Sequence, residues 1–319
     1  MEFISNCTAD AISNAASALK DGNLVAFPTE TVYGLGADAT NEKAVSRIYS
    51  VKGRPSDHPL IVHISSINKL EDWATDIPDY AIKLAREFWP GPMTLILPRK
   101  DIAKDFITGG QNNVGLRVPA QAIALALLKK FESLGGHGVA APSANRFGAV
   151  SPTTASAVEE ELGDFFGNGD QVLEGGQCLV GIESTIIDCT GLAPRILRPG
   201  AIADEMIESI TGTQISNFTK NFQIRTSGIM ESHYSPKARV KLNSETGPGE
   251  GFIALANFPT PKGAIRLSSP INVEEFARSL YSSLRAGDKL NLKCISVIPP
   301  TGGGIAFAIN ERLLKSSRK

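Results

Sequence analysis

Short apolar runs alternate with amphipathic segments along the first two thirds of the chain. The apolar runs are three to five residues long and predict strands at residues 24–27, 60–64, 93–97 and 139–141. Between them, apolar residues recur at helical spacing and predict helices at residues 9–20, 79–88 and 122–131. Because strands alternate with helices, the pattern predicts an α/β fold built on a twisted mixed sheet.

A second set of elements follows a stretch with weak periodicity at residues 216–238. Strands are predicted at 251–256 and 294–298, and helices at 273–286 and 305–314. We therefore predict a larger α/β domain at 1–212, a linker at 213–239 and a smaller, Rossmann-like α/β domain at 240–319. The first region has an acidic excess and the second a basic excess, which would attract the two to each other or the basic half to a polyanion.

Polar residues interrupt the apolar runs where strands are predicted to end. Pro28 has no backbone N–H and is predicted to stop the first strand. Gly34 and Gly36 are predicted to lie in the loop that follows, where glycine is free to take a φ above zero and lets a ligand approach the backbone. Residues 180–188 are predicted to form one strand that contains Glu183, Ser184 and Thr185. Strand ends are where α/β proteins bind ligands, so we expect a site here.

The composition sets limits on the function. The 319 residues are 42% hydrophobic and 20% charged with a net charge of −1, and no apolar run approaches the ~20 residues of a membrane helix. The N-terminus shows no basic region followed by an apolar core, so no signal peptide is predicted. Four scattered cysteines without C-x-x-C spacing argue against a zinc site or a disulfide framework. A cytoplasmic protein without membrane contact is expected.

Several common site types fit the sequence poorly. Residues 34–39 match G-x-G-x-x-A with Asp57 downstream, but six residues separate the strand from Gly34, whereas the dinucleotide fingerprint begins directly after its strand. No organic redox cofactor is therefore expected, although a nicotinamide or flavin enzyme stays open as a weak alternative. His58 and His63 lack H-E-x-x-H spacing, so no protein metal site is assigned. The chain has no Walker-type phosphate loop and no G-x-S-x-G nucleophile elbow.

The basic and hydroxyl-bearing residues near the predicted strand ends are suited to binding an anion. Lys52, Arg54, Arg117 and Arg198 lie in or beside predicted loops and strand ends, and Ser- and Thr-rich turns accompany them. Arginine forks and oriented amides are groups that bind phosphates. The sequence therefore favours a site for a phosphorylated ligand such as a triphosphate.

Several motifs together resemble those of the YrdC-type threonylcarbamoyl-AMP synthases. They are PTETVYGLG (28–36), KGR (52–54) with PLIVH (59–63), FWPGPMT (88–94), LRVP (116–119), PSAN (142–145), ESTI (183–186) and LRPG (197–200). The Lys-x-Arg and Ser-x-Asn pair is the signature of that family. HYSP (233–236) and AINERL (308–313) are similar to the long form, which carries a C-terminal α/β domain.

The resemblance implies a nucleotidyltransferase. Such enzymes join L-threonine, bicarbonate or CO2, and ATP into L-threonylcarbamoyl-AMP, with release of pyrophosphate and with Mg²⁺ accompanying ATP. A partner transferase then carries the threonylcarbamoyl group to tRNA, and direct contact with tRNA is a further expectation. The alternative is a non-catalytic, RNA-binding YrdC-like protein, which would not need the complete set of signature residues.

The resemblance also implies roles for individual residues. Threonine would be bound by Thr31, His63, Asn113, Arg117, Ala141 and Ser184. ATP would be bound by Arg54, His58, Ser143, Ser151, Arg198 and Tyr234. The catalytic signature would be Lys52, Arg54, Ser143 and Asn145. If the linker residue Tyr234 packs over the nucleotide, the second domain would act as a lid.

Overall fold

The computed structural model describes residues 4–5, 8–215, 224–226 and 234–318. His233 and most of the predicted linker lie outside these residues. The helices are α1 (Ala9–Lys20), α2 (Glu42–Lys52), α3 (Leu70–Trp73), α4 (Asp79–Phe88), α5 (Asp105–Thr108), α6 (Ala122–Ser133), α7 (Ala155–Leu162), α8 (Asp204–Thr211), α9 (Val273–Lys289) and α10 (Ile305–Ser316). The strands are β1 (Ile4–Ser5), β2 (Val25–Phe27), β3 (Gly34–Asp38), β4 (Ile61–His63), β5 (Met93–Pro98), β6 (Asn113–Arg117), β7 (Val139–Ala140), β8 (Gln171–Leu173), β9 (Thr185–Asp188), β10 (Arg195–Arg198), β11 (Arg239–Leu242), β12 (Gly251–Ile253), β13 (Ile265–Ser268) and β14 (Cys294–Val297).

The first ten strands form one mixed sheet. Its strand order is β1-β8-β2-β3-β7-β4-β6-β5-β9-β10. Parallel pairs such as β4 with β6 and β5 with β9 are combined with antiparallel pairs such as β2 with β3 and β5 with β6. The predicted mixed α/β sheet is therefore confirmed.

The large sheet is covered on both faces because its strands carry apolar residues at alternate and at adjacent positions. In β2, Val25 and Phe27 pack with α1 and α6, whereas Ala26 packs in a separate core with residues of α2 and β5. Successive side chains of a strand point to opposite faces, which explains this division. A strand buried on both faces needs no polar positions, so polar residues are left for the loops at its ends.

The second sheet is smaller and entirely parallel, with the order β11-β14-β12-β13. Helices α9 and α10 pack on it through apolar residues such as Phe276, Leu280 and Ile309. This core also contains Val32 and Ile182 from the region of the large sheet. A smaller α/β unit after the large sheet was expected, and the structure confirms it.

The conformation predicted for the two early glycines is wrong. Gly34 and Gly36 lie in β3, antiparallel to β2, and neither has a positive φ. A Cβ at Gly36 would lie 2.8 Å from atoms of both Phe27 and Val139. Glycine is thus required at Gly36 by close packing between neighbouring strands, and not by the backbone conformation of a loop.

The predicted strand at 180–188 is also wrong over its first half. Gly181 has a φ of +82°, which breaks the extended chain, and the strand begins only at Thr185. Glu183 and Ser184 therefore lie in the segment that leads into β9. Strands β1, β8, β10, β11 and β13 were not predicted either, since none of them contains an apolar run of three residues.

Candidate active site

A cleft lies where several strands of the large sheet begin or end. Its cavity volume is about 50 Å³. Its polar lining comes from Thr29, Thr31, Arg54, His63, Arg117, Ser143, Glu183, Ser184, Arg198 and Tyr234, and its remaining lining from Val32, Gly34, Ile61, Ala141 and Pro142. Most of the residues implied by the motifs are therefore brought together in one place.

The loop between β2 and β3 is shaped by Thr29. Its Oγ1 accepts hydrogen bonds from the backbone N–H groups of Thr31 and Val32, each at 3.2 Å, and donates to the carbonyl of Val32 at 2.5 Å. The Oγ1 atoms of Thr29 and Thr31 are 2.8 Å apart. A threonine that satisfies its own loop in this way fixes a tight turn and turns the Thr31 hydroxyl toward the cleft.

Arg117, at the end of β6, is held by that same loop. Its Nη2 donates to Glu30 Oε1 at 2.6 Å, and its Nη1 donates to Thr31 Oγ1 at 3.0 Å. The second oxygen of Glu30 accepts from the N–H of Ala120 at 3.0 Å. The guanidinium is therefore fixed in position and its charge is matched by a buried carboxylate.

His63 ends β4 and lies in the cleft beside Arg117. Burial, and to a smaller degree the charge of Arg117, lower the pKa of His63 to about 3, so the ring is neutral at physiological pH. Among the described residues, Nδ1 of His63 has no hydrogen-bond partner. The ring packs edge-to-face on Phe27 with centroids 5.8 Å apart. A buried, neutral imidazole with an unpaired nitrogen can bind a polar ligand.

Arg54 lies on the loop after α2. Its Nη2 donates to the carbonyl of Pro59 at 3.1 Å, and its guanidinium lies 5.8 Å from the ring centroid of Phe147. Burial lowers the pKa of Arg54 to about 10, which leaves the group positive at neutral pH. His58 packs edge-to-face on the same Phe147 ring, outside the lining of the cleft.

Arg198, at the end of β10, provides a second cation in the cleft. Its Nε donates to the carbonyl of Ser184 and its Nη2 donates to Ser184 Oγ, both at 3.0 Å. The same hydroxyl lies 2.8 Å from Thr94 Oγ1. These bonds connect β10 to the segment before β9 and fix the Arg198 guanidinium at the cleft wall.

Two signature residues support the cleft without lining it. Lys52 is buried, and its Nζ donates to the carbonyls of Ser143 and Asn145 at 2.6 and 2.5 Å. The amide of Asn145 donates to the carbonyls of Arg146 and Ala149. Burial lowers the pKa of Lys52. In this structure Lys52 and Asn145 hold the loop that presents Ser143.

A buried carboxylate, Glu183, connects the cleft to the second sheet. Ser151 Oγ donates to Oε1 of Glu183 at 2.6 Å, while Tyr281 OH and Arg312 Nε donate to Oε2 at 2.8 and 3.0 Å. Burial by itself would raise the pKa of Glu183, but Arg312, Arg198 and these hydrogen bonds outweigh it and hold the pKa at about 2. Ser151, expected to bind ATP, therefore contacts Glu183 and lies outside the cleft lining.

Tyr234 is the described part of the linker that reaches the cleft. Its φ of +59° is unusual for a tyrosine, and its ring stacks on Tyr281 with centroids 5.7 Å apart. Ser316 donates to the Tyr234 carbonyl at 2.9 Å. The ring is buried and lines the cleft.

Some residues fall outside the expectations from the motifs. Asn113 opens β6 and lines a neighbouring crevice with Ile224 and Thr226. Thr29 and Glu183 line the cleft but were not singled out as ligand-binding residues. Both lie inside quoted motifs, so their position beside Thr31 and Ser184 was the available signal. Tyr281 could not be identified from the sequence, since an aromatic residue in an amphipathic helix is expected to pack in the hydrophobic core.

Other chemistry finds little support among the described residues. No group of three His, Cys, Asp or Glu side chains is placed to hold a metal ion there. Cys178 and Cys189 are buried thiols, Cys294 is a partly buried thiol, and Cys7 lies outside the described residues. No helix in the described part of the chain has the length and apolar character to cross a membrane.

The sequence matches two family profiles that together span most of the chain. Residues 17–200 match the Sua5/YciO/YrdC family, described as telomere recombination. Residues 202–317 match a profile described as the C-terminal domain of threonylcarbamoyl-AMP synthase.

Characterised relatives and solved structures give the same result. The chain is 39% identical to the threonylcarbamoyl-AMP synthase of Pyrococcus abyssi, over 95% of this chain and 93% of that one. It is 37% identical to that of Bacillus subtilis, over 96% and 92% of the two chains. The crystal structure of P. abyssi Sua5 complexed with L-threonine superposes with a TM-score of 0.88 at 36% identity, covering 99% of this chain and 98% of that one.

Proposed function

This chain belongs to the Sua5/YciO/YrdC family of threonylcarbamoyl-AMP synthases, and on that premise we propose that it makes L-threonylcarbamoyl-AMP. The substrates are L-threonine, bicarbonate or CO2, and ATP, and pyrophosphate is released. The enzyme is then a nucleotidyltransferase. The relatives support an enzyme with a nucleotide-linked product, and the complex of P. abyssi Sua5 with L-threonine supports the amino-acid substrate.

One observation carries the proposal: two chemically different sets of side chains line a single cleft, and we call them its amino-acid end and its nucleotide end. At the amino-acid end, Thr31, His63 and Arg117 offer a hydroxyl, a neutral imidazole and a guanidinium to a small zwitterion. At the nucleotide end, Arg54 and Arg198 offer positive charge to phosphates. A reaction that joins an amino acid to a nucleotide needs both ends within reach of one another.

The proposed chemistry asks the protein for positioning and charge. The threonine ammonium group first loses a proton to solvent, and the free amine then attacks the bicarbonate carbon and forms a carbamate with loss of water. A carbamate oxygen then attacks the α-phosphorus of ATP, and the bond from that phosphorus to the bridging oxygen breaks as pyrophosphate leaves. Arg54 and Arg198 would stabilise the charge on the phosphates, Ser143 would donate a hydrogen bond to them, and Ser184 would bind threonine. His63, being neutral, would accept a hydrogen bond from threonine.

Mg²⁺ would enter with ATP as part of the substrate. Glu183 is the carboxylate in the cleft lining, and both of its oxygens already accept hydrogen bonds from Ser151, Tyr281 and Arg312. Phosphate oxygens and water commonly supply most ligands of Mg²⁺ in nucleotide sites. The residues of the cleft therefore fit a metal held by the phosphates.

The product is a reactive mixed anhydride that needs an acceptor. We propose that a separate transferase takes the threonylcarbamoyl group to tRNA in the cytoplasm. Direct tRNA contact by this chain would use its basic C-terminal half.

Pyrophosphate release measured with each substrate omitted in turn tests the proposal. Release should require ATP, threonine and bicarbonate together, and mass spectrometry should find threonylcarbamoyl-AMP. A rate unchanged without threonine would overturn the proposal. The RNA-binding alternative predicts retention of RNA in a mobility-shift assay with no pyrophosphate released under any condition.

A further inference from the structure

We propose that Arg312, in the last helix of the second sheet's unit, is a positioning residue for the nucleotide end of the cleft. It neutralises the carboxylate of Glu183 and holds the ring of Tyr234 against the site. The proposal rests on the proposed function, because it assumes that the ligand beside Glu183 is a polyanion.

Glu183 is a problem for a cleft that binds phosphates. Its carboxylate is part of the lining, in the same cleft as Arg54 and Arg198. An unpaired negative charge there would repel a triphosphate and would attract the two arginines away from the ligand. The carboxylate of Glu183 is compatible with a phosphate ligand only if a group outside the cleft lining neutralises its charge.

Arg312 is placed to cancel it. The guanidinium is fully buried, and its Nε donates to Glu183 Oε2 at 3.0 Å while its Nη2 donates to the carbonyl of Pro199 at 2.9 Å. Its Nη1 donates to Glu311 at 2.5 Å. Arg312 therefore contacts Glu183, which lines the cleft, without lining the cleft itself.

The same guanidinium also positions Tyr234. It lies 5.3 Å from the centroid of the Tyr234 ring, which also stacks on the ring of Tyr281. Ser316, one helical turn after Arg312, donates to the Tyr234 carbonyl at 2.9 Å. A tyrosine with a φ of +59° is strained, so it persists only where its surroundings hold it. Helix α10 provides that restraint.

A charge-cancelling role makes a prediction that a packing role does not. If Arg312 only fills space, removing the charge of Glu183 as well should not help ligand binding. If Arg312 cancels that charge, then Glu183→Gln should restore nucleotide binding in an Arg312→Met background. Threonine binding should change little in either variant, because Arg117 and Glu30 balance the amino-acid end without Arg312.

The experiment measures the Kd of MgATP and of L-threonine separately, by isothermal titration calorimetry on the full chain. Arg312→Met should weaken MgATP binding at least thirtyfold and threonine binding less than threefold. Adding Glu183→Gln should regain at least tenfold in MgATP affinity. Arg318→Gln, on the exposed end of the same chain segment, is the matched control and should bind both ligands like the wild type.

Two results would overturn the proposal: MgATP affinity of Arg312→Met within threefold of wild type, or no regain in the double variant. If Arg312→Met does not fold, as judged by its melting transition, Arg312→Lys takes its place. Lysine keeps the charge, so MgATP affinity should stay within fivefold, and a thirtyfold loss would contradict the role. A wild-type chain that binds no MgATP would overturn the proposed function instead.

Discussion

The two ends of the cleft balance their charges in different ways. At the amino-acid end, Arg117 pairs with Glu30, and both residues belong to segments of the large sheet. At the nucleotide end, the carboxylate of Glu183 is matched by Arg312, from a helix on the other sheet. The first charge pair lies within the region of the large sheet, whereas the second depends on how the two halves of the chain pack together.

The two ends of the cleft therefore depend on different parts of the chain. The amino-acid end needs the loop of residues 28–33 and the ends of β4 and β6 to be in place. The nucleotide end draws on Arg54, Arg198, Tyr234 and Arg312, which are far apart in the sequence. We therefore expect variants at one end to leave the other end largely intact, and the following measurements examine that independence.

The largest effect is expected for Arg198→Ala. It removes a cation from the cleft wall together with its hydrogen bonds to Ser184. A charge-assisted hydrogen bond contributes about 1.5–3 kcal/mol, so MgATP affinity should fall roughly 10- to 100-fold. Calorimetry on the variant should find threonine affinity within threefold of wild type, and Arg86→Ala on the exposed face of α4 is the control. Equal losses for both ligands would show that the two ends are not independent.

Arg117→Ala should have the opposite selectivity. Threonine affinity should fall about tenfold or more, because the guanidinium beside Thr31 is lost, while MgATP affinity changes less than threefold. Glu30→Gln is the companion variant, since glutamine keeps an oxygen that can accept the Arg117 hydrogen bond. Its threonine affinity should stay within threefold. If Glu30→Gln is as impaired as Arg117→Ala, the local charge balance is more important than the position of the guanidinium.

The smallest effect is a difference in pH dependence between the ends. The pKa of His63 falls from 6.5 to about 3 on folding, so below pH 6.5 the unfolded chain binds the extra proton and stability decreases, by up to about 1.4 kcal/mol per pH unit. The pKa of Glu183 falls from 4.5 to about 2, so its stabilisation is complete above pH 4.5 and is lost as the pH falls toward 2.

Urea unfolding of the ligand-free protein between pH 7 and pH 5 measures this slope. His63→Gln should reduce it. A slope unaffected by His63→Gln would mean that the acid sensitivity arises elsewhere.

Local sequence signals predicted the elements well where those signals are strong. Helix α1 spans Ala9–Lys20 and α4 spans Asp79–Phe88, as their apolar spacing indicates. The prediction failed at Gly36, where the need for glycine comes from Phe27 and Val139 on the neighbouring strands. A contact between strands distant in sequence leaves no local periodicity to detect.

The same reasoning explains the outcome for the site. Motifs at strand ends indicated Thr31, Arg117, Ser184 and Arg198, and these side chains do meet in the cleft. The motifs could not distinguish a residue that lines the cleft from one that supports it, so Lys52 was expected to act on the substrate but here holds a loop. Which partner a buried charge has depends on tertiary packing, and this is why the pairing of Glu183 with Arg312 required the structure.

The second hydrophobic core contains Val32, Val150 and Ile182 from the region of the large sheet. Separating the halves would expose these apolar side chains together with the helix surfaces that cover them. The chain should therefore behave as one cooperative unit: calorimetric unfolding is expected in a single transition, and a C-terminal truncation should aggregate. Point variants are for this reason better probes of the second half than deletions.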